Sequence, residues 1–154
     1  MTSAVRPVTR NDLPELRRII DETGLFPGEM LDAMAESYLA GTDGSFWLTF
    51  ADAGGCQAVM FVEQERMTQG TYNQLLVAVR PARQGQGIGA RLMREVERRI
   101  RDDLGGHLVL VETSALDDFA RTRRFYEGLG YRRVAEIDDF YQKGEGKVIY
   151  VKAL

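Results

Sequence analysis

Three glycines fall within five positions, Gly85, Gly87 and Gly89, and this cluster constrains the chain more than any other feature. Ahead of it, Tyr72–Val79 reads as a strand that Arg80-Pro81 ends. Behind it, Ile88, Leu92, Val96, Ile100 and Leu104 recur at helical spacing and predict a helix from Ile88 to about Asp103. Arg94, Glu97, Arg98 and Arg101 would take its solvated face, with Glu97 and Arg101 as an i,i+4 ion pair. Successive glycines let backbone N–H groups converge without Cβ obstruction. A helix N-terminus adds about half a positive charge at the same place. The segment Arg83-Gln84-Gly85-Gln86-Gly87-Ile88-Gly89-Ala90 therefore suits a phosphate or pyrophosphate.

Gly85-x-Gly87-x-x-Ala90 also satisfies a dinucleotide fingerprint, with Glu112 ending the next strand where a ribose-binding acid could lie. Two facts oppose that reading. Val79 is separated from Gly85 by five residues including Pro81, and the ~65 residues that follow are too few for a second nucleotide half plus a substrate domain. A phosphate loop of the Walker type is excluded, because Gly-Lys-Ser/Thr occurs nowhere.

Composition removes further classes. The 154 residues carry 20 basic and 23 acidic side chains, a net charge of −3, whereas a nucleic-acid binder would carry a basic excess. His107 and Cys56 are the lone histidine and cysteine, so neither a zinc cluster nor an internal disulfide is available. Cys56 reads as a buried strand residue and His107 as structural. Met1–Pro14 holds no apolar signal core, and the longest apolar runs, such as Leu75–Val79, are about five residues. A membrane helix needs ~20. A cytoplasmic address with no membrane partner is the expectation.

The remaining elements follow from periodicity. Ala4–Val8 reads as a strand, and Asp12 with Glu15 as a capping box opening a helix with Leu13, Leu16, Ile19 and Ile20 inward. A second helix is expected over Glu29–Ala40, with Met30, Leu31, Met34, Tyr38 and Leu39 inward. Strands are expected at Phe46–Ala51, Cys56–Glu63, His107–Val111, Tyr131–Ile137 and Lys147–Lys152, and a helix at Asp118–Leu129. Asp138–Gly146 reads as a polar loop. Residues 1–154 form one domain in this reading, with a mixed α/β sheet and helices packed on it.

Gln84-x-x-Gly87-x-Gly89, following Leu76-Val77-Ala78-Val79-x-Pro81, resembles the acetyl-CoA motif of the GNAT superfamily of N-acyltransferases. Thr122-Arg123-Arg124-Phe125-Tyr126-Glu127-Gly128-Leu129-Gly130-Tyr131 is similar to that family's second motif, and the element order agrees over nearly the whole chain. The resemblance implies six to seven strands, with helices on both faces and two central parallel strands that splay apart. It implies acetyl-CoA as acyl donor, with the backbone of Val77, Ala78 and Val79 on its pantetheine arm, and an amine on a small molecule, peptide or protein as acceptor. A homodimer is left open.

By the same resemblance, the Tyr126 hydroxyl would protonate the departing thiolate. An alkylamine at neutral pH is roughly 3.4 units too protonated to attack, about 4.6 kcal/mol, so a base is expected. Glu112, at the end of the strand beside the splay, is the first choice and Glu63 the second. Asn73 and Gln74 stand where several relatives place a glutamate, and Phe119 and Thr122 where they place Asn and Ala. Arg121, Arg123 and Arg124 read as solvated helix charges within reach of the CoA 3′-phosphate. Acceptor specificity would come from Thr23–Glu29 and Ile137–Tyr141, whose aromatics and carboxylates suit a cationic amine. The alternative from another class is a non-catalytic acyl-CoA-binding module of the same fold.

Overall fold

The computed structural model describes residues 4–154. Met1–Ser3, the start of the segment inspected for a leader, lie outside the described residues. In chain order the elements are β1 (Ala4–Pro7), α1 (Leu13–Thr23), α2 (Leu31–Leu39), β2 (Phe46–Asp52), β3 (Gly55–Gln64), β4 (Thr71–Val79) and α3 (Ile88–Arg98). Then follow β5 (Leu108–Ser114), α4 (Ala120–Gly128), β6 (Arg132–Gln142) and β7 (Glu145–Ala153). The seven strands form one sheet in the order β1-β2-β3-β4-β5-β7-β6. Among the described residues only β4 and β5 run parallel, joined by a crossover through α3. The mixed α/β class read from the sequence is the class observed. Among the described residues no helix is long and apolar enough to cross a membrane.

The helices bury most of the stripes that the sequence provides, although Leu104 of the α3 stripe is exposed. Leu16, Ile19 and Ile20 of α1 are fully buried with Leu31 and Ala35 of α2, against Trp47, Val59 and Leu76 on one sheet face. Ile88, Leu92, Met93 and Val96 of α3 pack with Tyr126 of α4 against Met60, Tyr72, Val109 and Val111 on the other. Each such side chain contributes about 1.5–3 kcal/mol by leaving water.

Several local expectations are corrected. The acidic cap of α1 is built on Thr9 and Asp12, with the Thr9 N–H donating to Asp12 Oδ2 at 2.8 Å. Asp12 also takes a two-pronged bond from Arg6 at 2.7 and 2.9 Å. Glu15 reaches instead across to the Cys56 N–H at 2.8 Å. Met30 and Met34 are exposed, and a 3-10 turn over Gly28–Met30 precedes α2, which starts at Leu31. Glu97 is buried and does not pair with Arg101, which bonds Asp102. It accepts the Tyr131 hydroxyl at 2.9 Å and Lys152 Nζ at 2.8 Å. The strand predicted from His107 starts at Leu108, and the polar loop at Asp138–Gly146 is a hairpin whose strands run on to Gln142 and back from Glu145. Every residue of β6 is exposed, so no buried stripe marks its length.

One irregularity positions everything that follows. β3 and β4 pair from Ala58–Val79 down to Phe61–Leu76, and then Val62 pairs with Gln74. Leu75 is the extra residue, a one-residue bulge that bends the strand and reverses which side chains face which side. Before it, Tyr72 packs toward α3 and α4; after it, Val77 and Val79 do, while Leu76 and Ala78 join the α1 cluster. The parallel register between β4 and β5 runs from Thr71–Leu108 to Gln74–Val111 and stops there. The two central strands diverge from the bulge onward.

Candidate active site

Two cavities open on that divergence. The first, of about 420 Å³, lies on the α3/α4 face. Val77, Val79, Arg83, Gln84, Gly85, Gly87, Ile88, Gly89 and Ala90 line it, together with Arg121, Thr122 and Phe125. Of the residues expected around a cofactor, the Ala78 side chain and Gln86 do not line this cavity. Ala78 is turned into the α1 core by the bulge, and Gln86 is exposed and accepts from Arg83 Nε at 2.9 Å.

The glycine loop has its shape for identifiable reasons. Gly85 and Gly87 sit at φ of 78° and 80°, a left-handed region that costs an L-residue roughly 1–2 kcal/mol. A Cβ at Gly87 would meet nothing within 4 Å, so the loop faces open space there. Gly89 is constrained in a different way, since its Cβ would come within 3.2 Å of Phe125 Cζ and press on that ring. The first-turn amides of Ile88, Gly89 and Ala90 have no carbonyl of their own helix to bond. Arg83 spends its guanidinium on Asp52 at 2.7 Å, and Gln84 Nε2 donates to the Val79 carbonyl at 3.1 Å. Both residues brace the loop. Arg121 lines the cavity beside Gly85, whereas Arg123 donates to the Ser114 and Leu116 carbonyls and ties α4 to the end of β5.

The second cavity, of about 590 Å³, shares Val77 and Thr122 with the first and carries Tyr126, Gln74 and Glu112 in its wall. Tyr126 is the buried residue of α4, packed edge-on to Tyr131 with ring centres 5.9 Å apart. Burial pushes its hydroxyl well above the ordinary tyrosine range. Glu112 faces Lys147 Nζ at 2.7 Å, and Asn73 Nδ2 approaches its other oxygen at 3.4 Å. Glu63, the second candidate base, is exposed at the end of β3 and does not line the cavity.

Leu25, Phe26 and Tyr141 come from the two loops expected to read the acceptor, while Asp138 and Asp139 stay outside. Glu145, Met34 and Phe61 also line the cavity and were not expected. Glu145 lay in the segment read as a loop; only the pairing of Gln142 with Glu145 turns it inward. Among the described residues no group of three or more His, Cys, Asp or Glu could hold a metal ion.

The model of the acetyltransferase (GNAT) domain family matches residues 42–133. No curated protein matches the sequence. A solved structure of a GNAT-family protein from Desulfovibrio desulfuricans is 31% identical, covering 99% of both chains with a TM-score of 0.88. The ribosomal-protein-S18-alanine N-acetyltransferase of Escherichia coli is similar in fold at 17% identity, covering 99% of this chain and 94% of its own, with a TM-score of 0.80. YncA of Salmonella typhimurium, solved with its cofactor acetyl-CoA, is similar in fold at 18% identity, covering 100% and 95%, with a TM-score of 0.79.

Proposed function

The chain belongs to the GNAT family of acetyltransferases, and on that premise we propose that it moves an acetyl group from acetyl-CoA to a primary amine by direct attack in a ternary complex. One observation carries the reading. Beyond Gln74, β4 is paired to β3 alone among the described strands, and its free edge faces a cavity that ends at the glycine loop.

That free edge, at Val77–Val79, takes the pantetheine arm as an added strand. One of its N–H groups polarises the thioester carbonyl as a small oxyanion hole. The amides of Gly85–Ala90 and the N-terminus of α3 hold the pyrophosphate, and Arg121 adds a cation beside them. Acetyl-CoA supplies an already activated thioester, so no protein nucleophile is required. Cys56, buried on the far face, takes no part.

Two side chains manage the protons. Glu112 accepts the proton that the attacking amine loses, its direction fixed by Lys147 and Asn73. Tyr126, kept protonated by burial, donates to the sulfur as charge develops on it. Its hydroxyl now donates to Gln74 Oε1 at 2.8 Å, so the donor must swing from Gln74 to the sulfur during the reaction.

Thermal titration with acetyl-CoA and with NAD, followed by thiol release over an amine panel, tests the proposal. Stabilisation by acetyl-CoA and amine-dependent thiol release are expected. Stabilisation by NAD alone would overturn it, and acetyl-CoA binding with no release on any amine would leave a non-catalytic binding module.

A further inference from the structure

The larger cavity has a charge pattern that the reaction alone does not require. Its volume is about 590 Å³, the size of a small-molecule site. Leu25, Phe26, Met34, Phe61, Leu75 and Phe119 give it apolar walls contributed by several elements. Two carboxylates line it, Glu112 and Glu145, and among the described residues no Lys, Arg or His does.

The two carboxylates are not equivalent. Glu112 is matched by Lys147 at 2.7 Å, and that ammonium is further held over the Phe140 ring, 3.5 Å from its centre. Glu145 accepts from the Ser114 hydroxyl at 2.7 Å and from Gln142 Nε2 at 3.0 Å, both neutral donors. Glu145 therefore gives the cavity a negative charge that, among the described residues, no ion pair balances. Tyr141 registers the same field: partial desolvation against the cavity wall, then the nearness of Glu112 and Glu145, raises its hydroxyl above the usual range.

Resting on the acetyl-transfer reading, we propose that the acceptor is a primary amine on an apolar aryl or alkyl body with no anionic group beside the nitrogen, and that Glu145 selects for it. The ammonium is drawn to Glu145 while the body replaces water on the apolar wall. An acceptor bearing an α-carboxylate would set that group against Glu145, while Lys147 is already engaged by Glu112 and Arg123 by the Ser114 and Leu116 carbonyls. Free amino acids are disfavoured by repulsion and desolvation together.

2-Phenylethylamine and phenylalanine differ by that carboxylate alone, and ethanolamine lacks the apolar body. With acetyl-CoA saturating, kcat/KM for phenylethylamine should exceed that for phenylalanine by at least ~10-fold, with ethanolamine well below phenylethylamine. Glu145→Gln should raise KM for phenylethylamine rather than KM for acetyl-CoA, and should narrow the ratio between the two aromatic amines. Equal or better use of phenylalanine, or a ratio unmoved by Glu145→Gln, overturns the proposal. Calorimetric binding of the same amines to the CoA-loaded protein reads the preference without chemistry. Selective binding of phenylethylamine without turnover would uphold Glu145's selectivity for that amine and sink acetyl transfer to it. Failure of both aromatic amines to bind would sink the acceptor assignment.

Discussion

Tyr126 donates its hydroxyl proton to Gln74 Oε1 at 2.8 Å, and both side chains are buried to 3% exposure. Gln74 is also the last residue of β4 that pairs with β5. The proposed proton donor is thus anchored on the residue where the two strands begin to part. Removing the hydroxyl should lower kcat by about 10²-fold while leaving acetyl-CoA affinity unchanged. Steady-state thiol release on Tyr126→Phe, paired with a CoA titration, checks this. An unaffected rate would remove Tyr126 from the chemistry. Gln74→Ala should alter kcat without changing KM for acetyl-CoA.

Gly87 and Gly89 are constrained in separable ways, and two alanine variants distinguish them. Gly87→Ala places a Cβ in open space but at φ 80°, and should lower the thermal midpoint by about 2–6 °C. Gly89→Ala has no such backbone strain and meets Phe125 at 3.2 Å instead. Combining it with Phe125→Leu should restore part of the midpoint, whereas the same change should do nothing for Gly87→Ala. Equal rescue of both would refute the assignment.

Acid should weaken the protein through Asp12. Its bond from Arg6, and then that from the Thr9 N–H, hold the carboxyl at about 2 against its ordinary 3.8. A depressed carboxyl stabilises the fold above its unfolded value, and that stability disappears as pH falls through the folded one. The contribution is about 1–2 kcal/mol, moderated because Arg6 is partly in solvent. Denaturant unfolding of wild type and Asp12→Asn should differ fully at pH ~6 and converge as pH falls from about 4 to about 2. A constant gap across that window would exclude Asp12 as its source.

Buried Glu97 and Tyr131 and half-buried Lys152 join α3, the residue before β6, and β7. Tyr131→Phe should cost about 1–2 kcal/mol, because Glu97 then keeps only its bond from Lys152. Lys152→Met should cost more, since it leaves a buried carboxylate without its cation. Urea unfolding of the two variants orders them, and a reversed order would show that the hydroxyl matters more than the charge.

What could be read from the sequence divides along physical lines. The stripe of α3, the glycine loop and the strand–helix order are local, and each showed as periodicity or as a residue type with one conformational use. Glu97 was misread because its spacing from Arg101 suits a surface ion pair, while its true partners lie 34 and 55 residues away. The inward turn of Glu145 depends on cross-strand register, which no single strand encodes. The bulge at Leu75 was hidden as well, because Leu75-Leu76-Val77-Ala78-Val79 is apolar throughout and shows no change of phase.

That bulge makes the site a matter of counting. Delete one residue between Gln74 and Leu76, and the straightened β4 could continue its ladder along β5 to the end of both strands. The resulting protein would hold more hydrogen bonds and would lose the free edge on which the proposed thioester site depends. Under that proposal, rigidity and activity are opposed along this one seam. A selection for melting temperature alone would be expected to close it, and the variants it returned would be sturdy and inert.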